Sequence, residues 1–252
     1  MKKVFYDFFV MTFVIGFFAV YISCTGCSST NIGKVTHLRG NGDLVTSEKT
    51  VSAFKKIDCS GSTVVRFHAG EDYRTVITVD ANLEDYVEVF VKNNVLRIGT
   101  KSGNYLYSFS KFLVDVYCPI LTGVTRSGSG SFESVDEIIT PKFDLRKSGS
   151  GRIEAKIECD DFSAQISGTG TVTVTGSSKE AKIRMSGSGN FDGNKFVIKN
   201  ATVDKSGSGK ANIYVEESLK VNASGSGGIN YSGEPRLLSI KVSGSGGLNK
   251  SH

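Results

Sequence analysis

A four-residue phrase, Ser-Gly-Ser-Gly, recurs through the second half of this chain and limits what it can fold into. It starts at Ser127, Ser148, Ser167 (with Thr169 in the third place), Ser186, Ser206, Ser224 and Ser243. By subtraction, the steps are 21, 19, 19, 20, 18 and 19 residues. A fixed period near 20 residues is the signature of a solenoid, in which each repeat is one turn. The phrase has a cost. Glycine in a strand loses roughly 0.5–1 kcal/mol against alanine, so about fourteen of them forfeit ~7–14 kcal/mol. That rivals the whole net stability of a domain, ~5–15 kcal/mol. A backbone geometry that only glycine satisfies must require them.

Around each phrase, apolar residues fall on alternate positions. Phe162-Ser-Ala164-Gln-Ile166 stands before one copy and Val172-Thr-Val174 after it; Leu219-Lys-Val221 and Ala211-Asn-Ile213-Tyr-Val215 flank another. A period of two is that of a strand. The two glycines are therefore expected to point inward or to sit at a corner. The two serines point out, where hydroxyls on successive turns can bond along the rod. About seven turns at ~4.8 Å give a rod roughly 30 Å long. The expected fold is all-β: a right-handed parallel β-helix of about 20 residues per rung with an irregular, strand-rich N-terminal portion. Stacked antiparallel hairpins are the weaker alternative, since two-residue hairpin turns are missing between the repeats.

Residues 1–23 read as an export signal of the lipoprotein type. Lys2 and Lys3 form the positive end, and Phe8 to Ile22 form an apolar run of about 15 residues, short for a membrane span. A small residue then precedes a cysteine twice, at Ser23-Cys24 and Gly26-Cys27, which makes Cys24 the expected lipidation site and Cys27 the alternative. Residues 24–36 form a tether, and residues 37–250 one domain, with irregular first rungs and a cap over 37–122 and regular rungs over 123–250. Within the first part, Val87–Val91, Asn93-Asn94 and Val95–Ile98 spell a hairpin, because asparagine tolerates the positive φ of a tight turn. Leu83 to Tyr86 spells a single helical turn. Ile57-Asp-Cys59-Ser60-Gly61-Ser62 is a degenerate early copy of the phrase.

The run Phe54-Lys-Lys-Ile57-Asp-Cys-Ser-Gly-Ser62, the serial Ser-Gly-Ser-Gly phrases and the tripeptide Gly228-Ile229-Asn230 resemble the head GIN domain family, the auto-transporter adhesins of Bacteroidetes-type bacteria. Gly247-Leu248-Asn249 is an imperfect second copy of the tripeptide. The resemblance spans roughly residues 50 to 235. It implies a β-helix and a cell-envelope location, and it implies no catalytic residue.

The residues themselves offer few catalytic groups. Histidine is limited to His37, His68 and His252, too few to favour a His-centred triad. Cys59, Cys118 and Cys159 continue inward parities and are expected to be buried free thiols. Their spacing has no zinc-site pattern, so no metal or other cofactor is expected. Glu158, Asp160 and Asp161 crowd one turn, with Asp136-Glu137 at the expected equivalent turn one rung earlier. They support the alternative reading, an enzyme acting on acidic polysaccharide, whereas solvated turn carboxylates are the plainer one. The position before each phrase holds Arg126, Lys147 and Lys205, where parity points inward. If that position is a corner, these cations stack near the surface and could meet an anionic glycan; otherwise they are snorkelling surface cations. Tyr105 and Tyr107 share a face of the densest aromatic stretch and could grip sugar or protein, although core or cap is the commoner fate of such residues.

The net charge of +5 falls to about +4 without residues 1–23, since Lys2, Lys3 and Asp7 leave. No basic run interleaves with aromatics, so nucleic acid is not an expected partner. The reading is a non-enzymatic lipoprotein of the cell envelope, anchored in the outer membrane through its lipid. It would act as an adhesin-like module that binds glycan or protein. A purely structural, self-associating envelope protein is the third reading.

Overall fold

The structure, a computed structural model, describes residues 36–251; residues 1–35, with Cys24 and Cys27, lie outside it, as do the side chains of Tyr105 and Tyr107. The regular part is a β-solenoid of parallel ladders. The strand Ile138–Lys147 pairs with Arg152–Ile166, which pairs with Thr171–Met185, then Asn190–Ser206, then Ala211–Ser224. Ala211–Ser224 carries both Ile229–Ser232 and Leu237–Ser243, and Leu248–Lys250 lies on Ile229–Ser232. Every one of these ladders is parallel, which removes the antiparallel alternative.

Register makes the core continuous. Ile57, Val124, Leu145, Ala164, Ile183, Val203 and Val221 form one column, each paired with the next and each at most 1% exposed. On the other side of the phrase, Val65, Phe132, Ile153, Val172, Phe191, Ala211 and Ile229 form a second buried column. Parity breaks at the far corner, where Asp160 and Asp161 are both exposed between buried Cys159 and Phe162. The ladder skips Asp160 there, so the chain bends without ending the strand.

The phrases pile up at one corner of every turn. Ser148 N–H donates to the Arg126 carbonyl, Ser167 to Lys147 and Ser186 to Ile166, each at 2.8 Å. The early copy joins the column, since Lys56–Cys59 pairs with Gly123–Arg126 and Val64–Ala69 with Ser131–Ser134. Ser127 follows Ser60 by 67 residues instead of 20. The intervening chain leaves the helix and builds the N-terminal end. Val95–Thr100 and Phe112–Cys118 lie parallel to the first rung. The strands Val87–Lys92 and Arg74–Asp80 then close over them antiparallel, and Leu44–Thr50 pairs outside Arg74–Asp80. The expected hairpin is there, with Asn93 and Asn94 at φ 54 and 60. The expected helical turn is a 3-10 helix, Ala81–Tyr86, whose Leu83 is buried.

The two glycines of a phrase do different jobs. Gly168, the first of its pair, has φ +87, the left-handed conformation that turns the corner. Gly170, the second, is not left-handed, but a Cβ there would overlap the Gly151 carbonyl oxygen one turn below. The first glycines are thus corner residues, and the second approach the wall of the preceding turn. Outward serine hydroxyls of successive phrases meet where Ser62 lies 3.0 Å from Ser129 and Ser208 3.3 Å from Ser226.

Candidate functional site

The position before the phrase is not a surface corner. Arg126, Lys147 and Lys205 are 0%, 2% and 3% exposed, so the expectation that they face solvent and meet a glycan is corrected. Parity holds, and all three point into the solenoid. Each cation donates to carbonyls at or next to a glycine corner. Arg126 Nη2 donates to Gly61 at 2.6 Å and Thr63 at 3.1 Å. Lys147 Nζ donates to Gly149 at 3.0 Å, and Lys205 Nζ to Gly207 at 3.2 Å and Gly227 at 2.8 Å. The glycine turn aims carbonyls at the interior, and a buried donor answers them. Arg126 Nε and Nη1 have no hydrogen-bond partner. Burial lowers the pKa of Lys147 and Lys205, because the charged form is the one that loses water.

One residue earlier, parity turns the side chains outward, and these form the floor of an open groove of about 620 Å³. Its middle row is Arg146, Gln165, Arg184, Asp204 and Asn222, on successive turns. Ser148, Ser167, Ser186 and Ser206 line one side with exposed hydroxyls. Arg146 and Arg184 stand two turns apart, about 10 Å at the ordinary spacing of strands. Arg146 is 3.2 Å from Asp144, and Arg184 3.7 Å from Asp204. Asp204 also accepts from Asn222 at 2.8 Å. Both guanidinium groups remain more than half exposed, so each keeps donors for a ligand. Sequence reasoning passed over this row because it weighed the cations beside the phrase and not the outward residues before them. The signal was available: Arg146-Lys147 places one cation out and one in.

The other candidates fall elsewhere. Tyr105 and Tyr107 belong to the strand Asn104–Ser108, which pairs with Thr36–Arg39 in a separate two-stranded sheet. In the tripeptide Gly228-Ile229-Asn230, Ile229 is core and Asn230 is structural. Asn230 donates to Asn212 at 2.9 Å and accepts from Asn249 at 3.3 Å, an amide ladder over three turns. Among the acids, Asp160 pairs with Lys179 at 2.6 Å. The equivalent turn one rung earlier holds Pro141, not Asp136-Glu137; Asp136 instead accepts the N–H of Ala69 at 3.0 Å. The carboxylates therefore do not stack. His68 and Arg66 both hold Asp115, at 2.8 and 2.7 Å, and His68 stacks on Tyr117. Cys59, Cys118 and Cys159 are buried and free.

Comparison with known proteins places these features in a wider group. The family model described as "putative auto-transporter adhesin, head GIN domain" matches residues 53–235. Among solved structures, a protein from Bacteroides fragilis named a putative adhesin is 21% identical, with a TM-score of 0.78 over 85% of this chain and all of its own. A protein from Parabacteroides distasonis named a putative lipid binding protein is 25% identical, with a TM-score of 0.73 over 86% of this chain and all of its own. A putative adhesin from the same species is 24% identical, with a TM-score of 0.70 over 86% of this chain and all of its own. No curated protein matches the chain.

Proposed function

The chain belongs to the putative auto-transporter adhesin, head GIN domain family, and from that membership we propose that it is a non-enzymatic binding module of the cell envelope whose groove takes an extended, acidic glycan. The observation that carries the reading is the outward row Arg146, Gln165, Arg184 beside a column of serine hydroxyls. A rigid ladder repeats donors at every turn, so a polymer with its own repeat can meet several at once. Two guanidinium groups about 10 Å apart suit an extended chain whose acid groups recur at that spacing. The groove's own carboxylate, Asp204, is engaged by Arg184 and Asn222. That favours holding a ligand over transferring a proton to it.

A glycan array probed with the full chain should give acidic polysaccharides as hits, with binding that weakens as salt rises. Replacing both arginines, Arg146→Gln with Arg184→Gln, should weaken those hits about tenfold or more while leaving the melting temperature unchanged, since both side chains are exposed. Equal binding by the double variant would remove the groove from the reading. Anionic phospholipid vesicles belong in the same experiment, because one structural neighbour carries a lipid-binding name. Binding to vesicles and not to glycans would replace the ligand class.

The anchor is part of the proposal. In this reading residues 1–23 are the leader and Cys24 carries the lipid, because a small residue precedes a cysteine at the end of the apolar run. Metabolic palmitate should label the chain and fail to label Cys24→Ala; label lost only in Cys27→Ala would move the site, and no label would remove it.

A further inference from the structure

The two ends of the solenoid differ. At the N-terminal end, antiparallel strands cover the last rung, and Leu83, Leu96 and Val114 are buried beneath them. At the C-terminal end, the strand Leu237–Ser243 pairs below with Ala211–Ser224, and among the described residues nothing pairs above it. Its inward row continues buried columns: Leu238 lies over Leu219, Ile240 over Val221 and Val242 over Ala223. Yet Leu238, Ile240 and Val242 are 49%, 45% and 40% exposed, where Leu219 and Val221 are at most 1%.

The backbone of these residues is open as well. In every lower turn the residue before the phrase offers its carbonyl upward, as Lys147 does to Ser167 and Ile166 to Ser186. In a parallel ladder a residue's N–H and C=O point the same way, and the direction alternates along the strand. By that register Leu238, Ile240 and Val242 aim both groups at the missing turn. An edge with free backbone and free apolar side chains on the same residues calls for another strand.

We propose that the occupant is a second copy of this chain, joined tail to tail about a two-fold axis through Ile240. Antiparallel pairing centred there sets Ile240 against Ile240 and Leu238 against Val242 of the second copy. These are the residues with open backbone groups, so hydrogen bonds and the apolar row come into register together. All seven residues of the strand are used, and Lys241 falls opposite Ser239. Centring on Lys241 would oppose two like charges, which destabilises a pair. Centring on Ser239 shortens the ladder. An odd offset sets open groups against bonded ones. Because the N-terminal end is covered, the contact is isologous and the assembly closes at two.

Sedimentation equilibrium of the purified full chain in mild detergent tests the proposal. The mass should move toward that of two chains between about 1 and about 100 µM, and Ile240→Glu should weaken association at least ~100-fold. Ile240 is exposed in the single chain, so at concentrations low enough that both are monomers the variant should keep the melting temperature of the unaltered chain. Hydrogen exchange of the unaltered chain gives an independent readout: the amides of residues 238, 240 and 242 should gain protection as concentration rises. A monomer across that range overturns the proposal. So do assemblies larger than two, which would mean the covered end takes part. Protection of those amides that does not depend on concentration also overturns it, because another segment of the same chain then covers the rung.

Discussion

Gly170→Ala is expected to lower stability by about 4 kcal/mol or to prevent folding, read as the midpoint of guanidinium unfolding. The new methyl would overlap the Gly151 carbonyl oxygen and stand 2.6 Å from Lys147 Cε. The carbonyl is part of the preceding turn and cannot retreat alone, because turns are bonded to each other along the whole rod. Two controls separate the causes. Gly103 has a positive φ of 82 with nothing near its Cβ, so Gly103→Ala isolates the conformational cost, about 1–2 kcal/mol. Ser167→Ala, in the same phrase, removes an exposed hydroxyl and should stay within about 0.5 kcal/mol. If Gly170→Ala cost no more than Gly103→Ala, close approach would not be why the phrase keeps its second glycine.

Alkali should melt the fold steeply. Burial pushes the thiols of Cys59 and Cys159 up to about 11 and that of Cys118 to about 12, from an ordinary value of 9.0. Arg126, beside Cys59, opposes that rise without cancelling it. A group whose folded pKa is raised contributes stability that is complete below its unfolded pKa. That stability is lost as pH climbs from 9.0 through the folded values. Each thiol that ionises only on unfolding contributes about 1.4 kcal/mol per pH unit, so three approach ~4 kcal/mol per unit. The buried lysines act the other way. With folded pKa values below 10.5, Lys147 and Lys205 take up protons on unfolding, and their contribution raises stability until pH passes 10.5. The fall should therefore be steepest between pH 10.5 and about 11. Cys118→Val should reduce the slope there by about a third. Unchanged unfolding midpoints from pH 9 to 11 would mean that these thiols are not held protonated by burial.

The groove was harder to read than the solenoid for a physical reason. Alternation tells which residues face out, but several outward rows exist on each turn, and a linear pattern does not say which row is concave. Arg146, Gln165 and Arg184 gain meaning only when register stacks them, and register depends on how many residues each far corner consumes. The same uncertainty misplaced Asp136-Glu137, because the bend falls at Pro141. It also clouded the cations before the phrase. A charged residue at an inward parity looks like an error until the glycine corner is seen to turn carbonyls toward it.

The amino-acid sequence by itself determined the strand period and the length of a turn, because these follow from local sterics and alternation that each repeat carries within itself. It also determined the hairpin at Asn93-Asn94. Only the tertiary structure decided that Arg126, Lys147 and Lys205 lie inside, that the second glycine of a phrase lies against the turn below, and that Leu238, Ile240 and Val242 are left uncovered at one end. Those outcomes depend on what lies one turn above or below, some twenty residues away or more, and a neighbour of that kind is set by the packing of the whole coil.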